Sequence, residues 1–215
     1  MKKYLVLIVF FMIVLKASSQ NFTFTVYGEP QLSWLNADAN NVENAGVRMG
    51  FNGGLNFDNF FAENYAFSTG ISINKIAGKL TYNYDKDFVA NDGTYTLDSA
   101  GTAEYDLQYI DIPLGLKFKT IEIGYTKFFA HLGLNAQINI KATGTLPDQS
   151  NLNISEEVNW YNAGYYVGGG IEYSLGGTTA IVVGLTYKNG FLDVTADENN
   201  KATSENVSLR LGILF

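Results

Sequence analysis

The sequence offers few side chains for catalysis. It contains one histidine, His131, and no cysteine, which excludes a thiol nucleophile and a thiolate metal site. His131 lies in a segment that alternates polar and apolar residues, without a serine or carboxylate at a spacing that indicates a catalytic pair. A single histidine in this setting is more often a hydrogen-bonded structural residue than a general base. We therefore predict no catalytic residues and a protein that is not an enzyme.

Oxygen-bearing residues at 85–92 are the candidates for binding a metal ion. Asp85, Asp87, Asn91 and Asp92 would supply the ligand atoms that Ca²⁺ prefers, but their spacing does not match an EF-hand. The spacing favours solvated charge in a loop, so we predict no metal site.

Two glycine-rich stretches share only their composition with nucleotide-binding loops. Residues 50–54 and 168–170 lack the following helix and the Lys-Ser/Thr pair that a phosphate loop requires, so we predict no cofactor. Glycine inside a strand permits close backbone approach. We expect these glycines to make room for large side chains such as Tyr166.

Composition narrows the class of protein further. The 215 residues carry 14 Lys+Arg and 21 Asp+Glu, a net charge of −7, whereas nucleic-acid binding needs a basic surface. A disordered chain is highly charged and poor in aromatic residues, but here charged residues make up 16% and aromatic residues 14%. We expect one folded domain that does not bind nucleic acid.

The first 19 residues have the pattern of a secretory signal peptide. A positive start is followed by an unbroken apolar run over 4–15, and small residues at 17–19 suit cleavage after Ser19. The run is shorter than the roughly 20 residues of a membrane-spanning helix and fits a signal peptide; an anchor helix is the alternative. We predict a cleaved signal peptide at 1–19 and a mature domain at 20–215. Loss of three lysines leaves 11 basic and 21 acidic side chains, a net charge of −10.

The mature chain alternates between apolar and polar residues along almost its whole length. At the C-terminus, every second residue over 207–215 is apolar, and most of the others are small or charged. A period of two residues is typical of a β-strand with one apolar face. The pattern occurs in eight segments, at 22–34, 47–57, 65–75, 110–118, 131–142, 161–174, 180–188 and 207–215. We predict an all-β fold of eight antiparallel strands.

The polar faces of these segments distinguish two kinds of barrel. A soluble barrel or sandwich turns its apolar face inward, whereas a membrane barrel turns that face to lipid and fills its lumen with polar and small residues. The polar faces are rich in Gly, Ser and Asn, and aromatic residues recur near strand ends, as at membrane interfaces. Their charges are isolated: Glu29, Arg48, Asp111, Lys117, Lys141, Glu172, Lys188 and Arg210. The pattern predicts an up-and-down transmembrane β-barrel of the outer membrane.

The isolated charges are expected to meet inside the barrel. Glu29 lies on the first strand, and Arg48 and Arg210 lie on the strands that neighbour it in a closed ring. An eight-stranded barrel is just wide enough for side chains to fill, and buried charges have to be paired. We predict an ion-pair network that plugs the lumen; a narrow polar pathway for water or ions is the alternative.

The connections between strands alternate between long and short. Long polar loops are predicted at 36–44, 76–104, 143–157 and 189–205, and short turns at 58–64, 119–125 and 175–178. Long loops outside and tight turns on the periplasmic side are typical of outer-membrane barrels. Tyr105, Leu107 and Tyr109 are out of phase with Ile110 onward, which predicts a bulge or an extra hairpin that would raise the strand number to ten.

Three segments resemble the PorT-like outer-membrane β-barrel family of Bacteroidetes. They are 50–56 (GFNGGLN), 109–118 (YIDIPLGLKF) and 208–215 (SLRLGILF). The resemblance implies an eight-stranded barrel of the OmpA and OmpX type, mostly without an assigned function and in one branch tied to protein secretion and gliding. The last strand, which ends in Phe215, also resembles the signal that the barrel assembly machinery reads.

These patterns lead to one functional expectation and two alternatives. We expect a non-enzymatic structural or interaction protein whose long outer loops contact an extracellular or envelope protein, with outer-membrane lipids and the assembly machinery as further partners. The alternatives are a narrow channel for small solutes or ions and an outer-membrane enzyme that acts on lipid or peptide. A channel needs a continuous polar path past Glu29, Arg48 and Arg210, and an enzyme needs a converging polar triad at the outer rim.

Overall fold

The computed structural model describes residues 22–37, 41–196 and 201–215, so the predicted signal peptide at 1–19 lies outside the described residues. The described chain contains β1 (Phe22–Ala37), β2 (Val42–Ala62), β3 (Tyr65–Tyr82), β4 (Lys86–Ala90), β5 (Gly93–Leu97), β6 (Gly101–Lys119), β7 (Thr126–Leu146), β8 (Gln149–Asn153), a 3-10 turn (Ser155–Glu157), β9 (Tyr161–Gly176), β10 (Thr179–Gly190) and β11 (Ala202–Leu214). No helix in these three ranges is long and apolar enough to cross a membrane.

Eight of these strands close into an antiparallel ring. Its order is β1, β2, β3, β6, β7, β9, β10 and β11, and β11 pairs with β1. Backbone hydrogen bonds of 3.2 and 2.9 Å between Phe24 and Phe215 close this seam. The prediction of an eight-stranded up-and-down barrel is confirmed. The alternative of ten strands in the ring is wrong. Among the described strands, β4 pairs with β5 and β8 pairs with the end of β7, so none of these three strands joins the ring.

The predicted apolar faces form a continuous belt around the outside of the barrel. Phe67 on β3, Leu114 on β6 and Leu185 on β10 are 61%, 59% and 60% exposed. A soluble protein rarely exposes so large an apolar surface, whereas an outward apolar band is what contact with lipid requires. Stacked rings of Phe24 and Phe215 border the belt at the end with tight turns. The prediction that the apolar faces point outward is confirmed.

The strands continue beyond the belt at the end with the long connections, which we call the outer head. β3 runs on to Tyr82 and β6 begins at Gly101, with the β4–β5 hairpin between them. Most of the predicted loop 76–104 is therefore strand. The other three long loops are likewise shortened, because β1, β2, β7, β10 and β11 all extend into them.

An apolar core explains why these strands extend. Above the belt most of the inward side chains are apolar, and Leu35, Ile76, Leu80 and Leu107 are at most 1% exposed. Burying them stabilises the head as it would a soluble protein. The core of the head also contains Val42, Tyr82, Phe88, Ala90, Leu97, Ala103, Tyr105, Tyr109, Ala142, Leu146, Leu152, Ile154, Val158, Val194 and Ala202.

The phase change predicted within β6 is wrong. Tyr105, Leu107 and Tyr109 point inward together with Asp111, since all four are at most 1% exposed and alternate with more exposed residues. What changes along β6 is the medium outside it. Lipid around the belt favours an apolar outer face, whereas water around the head favours an apolar interior.

A bulge does occur beside this point, in the partner strand β7. Gln108 pairs with Lys141 and Tyr109 with Asn139, which leaves Ile140 as the extra residue. A bulge of this kind shifts the side-chain alternation of one strand. Lys141 therefore lies exposed on the outside, and the prediction that it belongs to the lumen face is wrong.

Candidate functional site

Charged side chains fill the barrel interior, and we call this set the lumen plug. Four are acidic and four are basic, so the plug carries no net charge. Its members are Glu29, Asp58, Asp111, Glu172, Lys117, Lys119, Lys188 and Arg210. A balanced set satisfies the requirement that buried charges are paired, and it agrees with the predicted ion-pair network.

One half of the plug lies toward the tight-turn end of the barrel. The Lys117 ammonium lies 2.7 Å from Asp58 and 2.8 Å from Glu172, and Lys119 lies 2.8 Å from Glu172. Asp58 is fully buried and also accepts a hydrogen bond from the Ser68 hydroxyl at 2.7 Å. Lys117 thus joins two carboxylates that come from β2 and β9.

The other half of the plug contains two pairs. The Arg210 Nε donates to Glu29 at 2.5 Å, and Asn52 donates to the other carboxylate oxygen of Glu29 at 2.6 Å. The Lys188 ammonium lies 2.8 Å from Asp111. The predicted contact between Glu29 and Arg210 is confirmed, because β1 and β11 are neighbours in the closed ring.

Arg48 does not join the lumen plug, contrary to the prediction. Its guanidinium lies 2.8 Å from Asp106 and 3.4 Å from Glu104, both on the outward face of β6. The cause is a bulge in β2, where residues 48–50 lie opposite only 76–77 of β3. The bulge breaks the alternation that placed Arg48 on the same face as Asn52.

Two members of the plug lie where the sequence predicts turns. Asp58 falls in the predicted turn 58–64 and Lys119 in 119–125, but β2 extends to Ala62 and β6 to Lys119. A signal for Asp58 was present, since it continues the polar series of even-numbered residues in β2. Lys119 carries the same signal, since it continues the polar series of odd-numbered residues in β6 and stands at the last residue of that strand.

His131 lies in the lumen, as its phase in β7 predicts. It is 4% exposed, and its Nε2 lies 3.2 Å from the Thr186 hydroxyl. The rings of Phe129 and Tyr166 pack edge-on against it at 5.6 and 5.4 Å. The cavity that touches it measures about 10 Å³, which is room for about one water molecule. The surroundings are those of a packed structural histidine.

Glycines make room for Tyr166, as predicted, but at other positions than expected. A side chain at Gly115 or Gly133 would collide with the Tyr166 hydroxyl, whereas one at Gly168 would collide with His131. Gly133 on the neighbouring strand β7 pairs with Tyr166, and Gly115 on β6 pairs with Gly133, so the tyrosine side chain lies over the bare backbone of these two strands. Close approach of this kind is a common reason for glycine inside a strand.

Gly133→Ala is expected to destabilise the barrel by about 1–3 kcal/mol through overpacking. The added methyl would lie against the Leu114 carbonyl oxygen, 2.5 Å from the Gly115 Cα and 2.8 Å from the Tyr166 hydroxyl. Two of these three atoms are backbone and cannot rotate away. The free energy of unfolding in urea, measured in lipid vesicles, tests this.

Gly28→Ala is the matched control for Gly133→Ala. Its methyl would meet only the lipid-facing Phe51 ring, at 3.2 Å, so we expect a loss below about 1 kcal/mol. Adding Tyr166→Phe to Gly133→Ala should recover little, because the backbone contacts remain. Full recovery would show that Tyr166 alone requires the glycine.

The β4–β5 hairpin packs onto the core of the outer head. Glu157 lies 3.4 Å from the Lys86 ammonium and accepts a hydrogen bond from the Val89 amide at 3.0 Å. Inside the head, the hydroxyls of Tyr82 and Tyr105 lie 2.6 Å apart. Burial raises the pKa of the Tyr105 phenol well above its usual range, so this side chain is uncharged. The head is a closed, packed unit.

The acidic residues considered for calcium have local partners in this hairpin. Asp87 accepts a hydrogen bond from the Thr96 hydroxyl at 2.6 Å, and Asp85 accepts one from the Ser99 amide at 2.8 Å. Within the described residues, no group of three or more His, Cys, Asp or Glu side chains is arranged to hold a metal ion.

Solved outer-membrane protein structures are similar to this chain at low sequence identity, and the first of them has the same fold. Neisserial surface protein A is 13% identical, covers 90% of this chain and 95% of its own, and superposes with a TM-score of 0.52. OprG of Pseudomonas aeruginosa (12% identity, 90% and 95% coverage) and the outer membrane protease OmpT of Escherichia coli (6%, 92% and 97%) give TM-scores of 0.45 and 0.41. A search of curated protein sequences found no significant match.

A family model agrees with the geometry. The model of the outer membrane protein beta-barrel domain matches residues 17–186, which include β1 to β9 and most of β10. The closed eight-stranded ring, its outward apolar belt and its polar interior are the features that this environment requires. The chain belongs to the family of outer-membrane protein β-barrel domains and is a protein of the outer membrane.

Proposed function

We propose that this outer-membrane barrel is a non-enzymatic interaction protein that presents its outer head to a protein outside the cell or in the envelope. The observation that carries the proposal is the closure of the interior at two successive levels. Paired charges of the lumen plug fill the barrel, and the apolar core closes the head above it. The part left accessible beyond the membrane is the surface of the head.

The two alternative functions have less support. A channel would need a polar path, but the interior cavity lined by Lys188 and Arg210 measures about 10 Å³, and Leu107 lies within the closed apolar core above. An enzyme would need an accessible reactive group, but His131 is buried against Thr186, Phe129 and Tyr166.

The proposal includes a route to the membrane. A signal peptide at 1–19 would direct export of the domain at 20–215, and the final strand over 207–215 would be read by the assembly machinery. Pairing of β11 with β1 supports this reading, because the last strand completes the ring. The finer assignment to PorT-like barrels of Bacteroidetes is supported by the motifs in 50–56 and 109–118.

The closed interior predicts that the refolded mature chain does not conduct ions in a planar bilayer. Arg210→Ala alone is expected to stay closed as well, because the apolar core of the head still blocks the path. Openings are expected only when Arg210→Ala is combined with replacement of 86–97 by a short glycine turn. Steady conductance of the unmodified chain would overturn the proposal in favour of a pore.

Photo-cross-linking in the native cells tests the interaction directly. A photoreactive amino acid at Val89 or Asp148, both exposed on the head, is expected to give discrete protein adducts. The same group at Leu132 faces lipid, with 48% exposure in the belt, and should give none. Absence of adducts from both head positions, with normal surface display, would contradict an interaction role.

A further inference from the structure

The outer surface just above the apolar belt carries a concentration of basic residues. Four of the 11 Lys and Arg residues of the mature chain lie there beside two carboxylates. This basic patch consists of Arg48, Lys75, Lys79, Lys141, Glu104 and Asp106. Its net charge is +2, in a mature chain whose net charge is −10. The patch is therefore a locally positive region on a protein whose net charge is negative.

Strand register puts two lysines of the patch in one row. Lys75 on β3 pairs with Gln108 on β6, and Gln108 pairs with Lys141 on β7. Two strand spacings separate the lysine stems by about 10 Å, a gap that two extended lysine side chains can close from both sides. The Gln108 amide lies between them and adds hydrogen-bonding capacity at the centre of the row.

On β3, β6 and β7 this row marks the boundary between the belt and the head. The row directly below it is apolar, with Ile73 paired to Ile110 and Ile110 to Ile138. Ile73 and Ile138 are 44% and 43% exposed to the surrounding lipid. The lysine row therefore stands where acyl chains end and lipid headgroups begin.

The two carboxylates of the patch are engaged by the other two cations. Glu104 lies 2.5 Å from the Lys79 ammonium, and Asp106 lies 2.8 Å from Arg48. Lys75 also contacts Asp106, at 3.2 Å, yet its side chain is 55% exposed, and Lys141 is exposed. These two ammonium groups remain accessible to an anion from the membrane side.

The other side of the barrel has a different rim at this level. Trp160 packs on Tyr161, and Tyr165 contacts both Tyr187 and Phe191. Aromatic side chains there provide an interface anchor that does not depend on headgroup charge. Among the described residues at this level, the β3–β6–β7 side instead presents cations, which suit an anionic headgroup.

We propose that Lys75, Gln108 and Lys141 bind the phosphate group of a phosphorylated lipid in the outer leaflet. The acyl chains of that lipid would lie along Ile73, Ile110 and Ile138 directly below. Ammonium groups form charge-assisted hydrogen bonds with phosphate oxygens, and the position of the row matches the depth of a headgroup. The inference is independent of the proposed protein partner, because it concerns the lipid-facing wall rather than the head surface.

The test compares lipid binding by the mature protein and by the double variant Lys75→Gln/Lys141→Gln. Native mass spectrometry of protein released from micelles would measure retention of phosphatidic acid against phosphatidylcholine. Lys127→Gln/Lys201→Gln removes the same charge away from the row and serves as the control. Each lysine near a phosphate contributes about fivefold, so we expect affinity for phosphatidic acid to fall on the order of ten- to thirtyfold in the first variant only.

Three outcomes would overturn the proposal. The first is an unmodified protein with no preference for phosphatidic acid, and the second is an equal loss in both double variants, which would indicate net charge alone. The third is full competition by inorganic phosphate, which would indicate a site for a free anion. Heat-dependent gel migration verifies that each variant is folded, and Lys75 and Lys141 are exposed enough for their replacement to leave the barrel intact.

Discussion

Lys117→Met is expected to destabilise the barrel by about 3–5 kcal/mol, because it leaves buried charge without its partner. Lys117 lies 2.7 Å from Asp58 and 2.8 Å from Glu172. Glu172 keeps Lys119 as a partner, whereas Asp58 would retain only neutral hydrogen-bond donors. The free energy of unfolding in urea, measured in lipid vesicles at neutral pH, is the readout.

A surface ion pair at the same, tight-turn end of the barrel provides the control for Lys117→Met. Lys127 lies 3.2 Å from Glu122, and both side chains are about two-fifths exposed. Solvent screens such a pair, so Lys127→Met should change stability by at most about 1 kcal/mol. Adding Asp58→Asn to Lys117→Met should recover part of the loss. If the two methionine variants were equally stable, the lumen plug would not hold the barrel together.

Leu107→Ala is expected to cost about 2–5 kcal/mol, the range for emptying a packed apolar site. Leu107 is 0% exposed and lies in the core that closes the outer head. Because the cavity forms above the belt, we expect the head to loosen while the ring in the membrane persists. Hydrogen exchange at the amides of β4 and β5 would report the loosening, and heat-dependent gel migration would report the ring.

Val89→Ala is the control within the same head. Val89 is 41% exposed on β4, and surface substitutions usually change stability by about 0.5 kcal/mol or less. Unchanged exchange in Leu107→Ala would mean that the apolar core does not hold the hairpin in place.

The two predictions concern two different media within one barrel. In the belt, paired charges lie inside the barrel and apolar residues face lipid. In the head, apolar residues lie inside and polar residues face water, as in a soluble protein. β6 passes through both: Leu107 is buried in the head, and Leu114 is exposed to lipid in the belt. A rigid head on a closed barrel is a suitable platform for contact with a partner.

The alternation of side chains determined the barrel from the sequence alone. An outward apolar residue in the belt meets lipid whichever strand is its neighbour, so each segment shows its outward face without knowledge of pairing. This is why the eight segments from 22–34 to 207–215 and their outward faces were predictable. Ring closure also predicted the pair of Glu29 with Arg210, because the first and last strands of a barrel are always neighbours.

Tertiary structure alone decided what departs from strict alternation. Bulges in β2 and β7 place Arg48 and Lys141 on the outer surface instead of in the lumen. A bulge is defined by the pairing of two strands, so the residue pattern of one strand alone does not show where it occurs. The sequence pattern predicts loops where the head lies, because an apolar residue such as Leu107 faces outward in a strand surrounded by lipid but inward in a strand surrounded by water. Only the folded barrel shows where the lipid belt ends, and that boundary decides on which side of a strand the apolar residues have to lie.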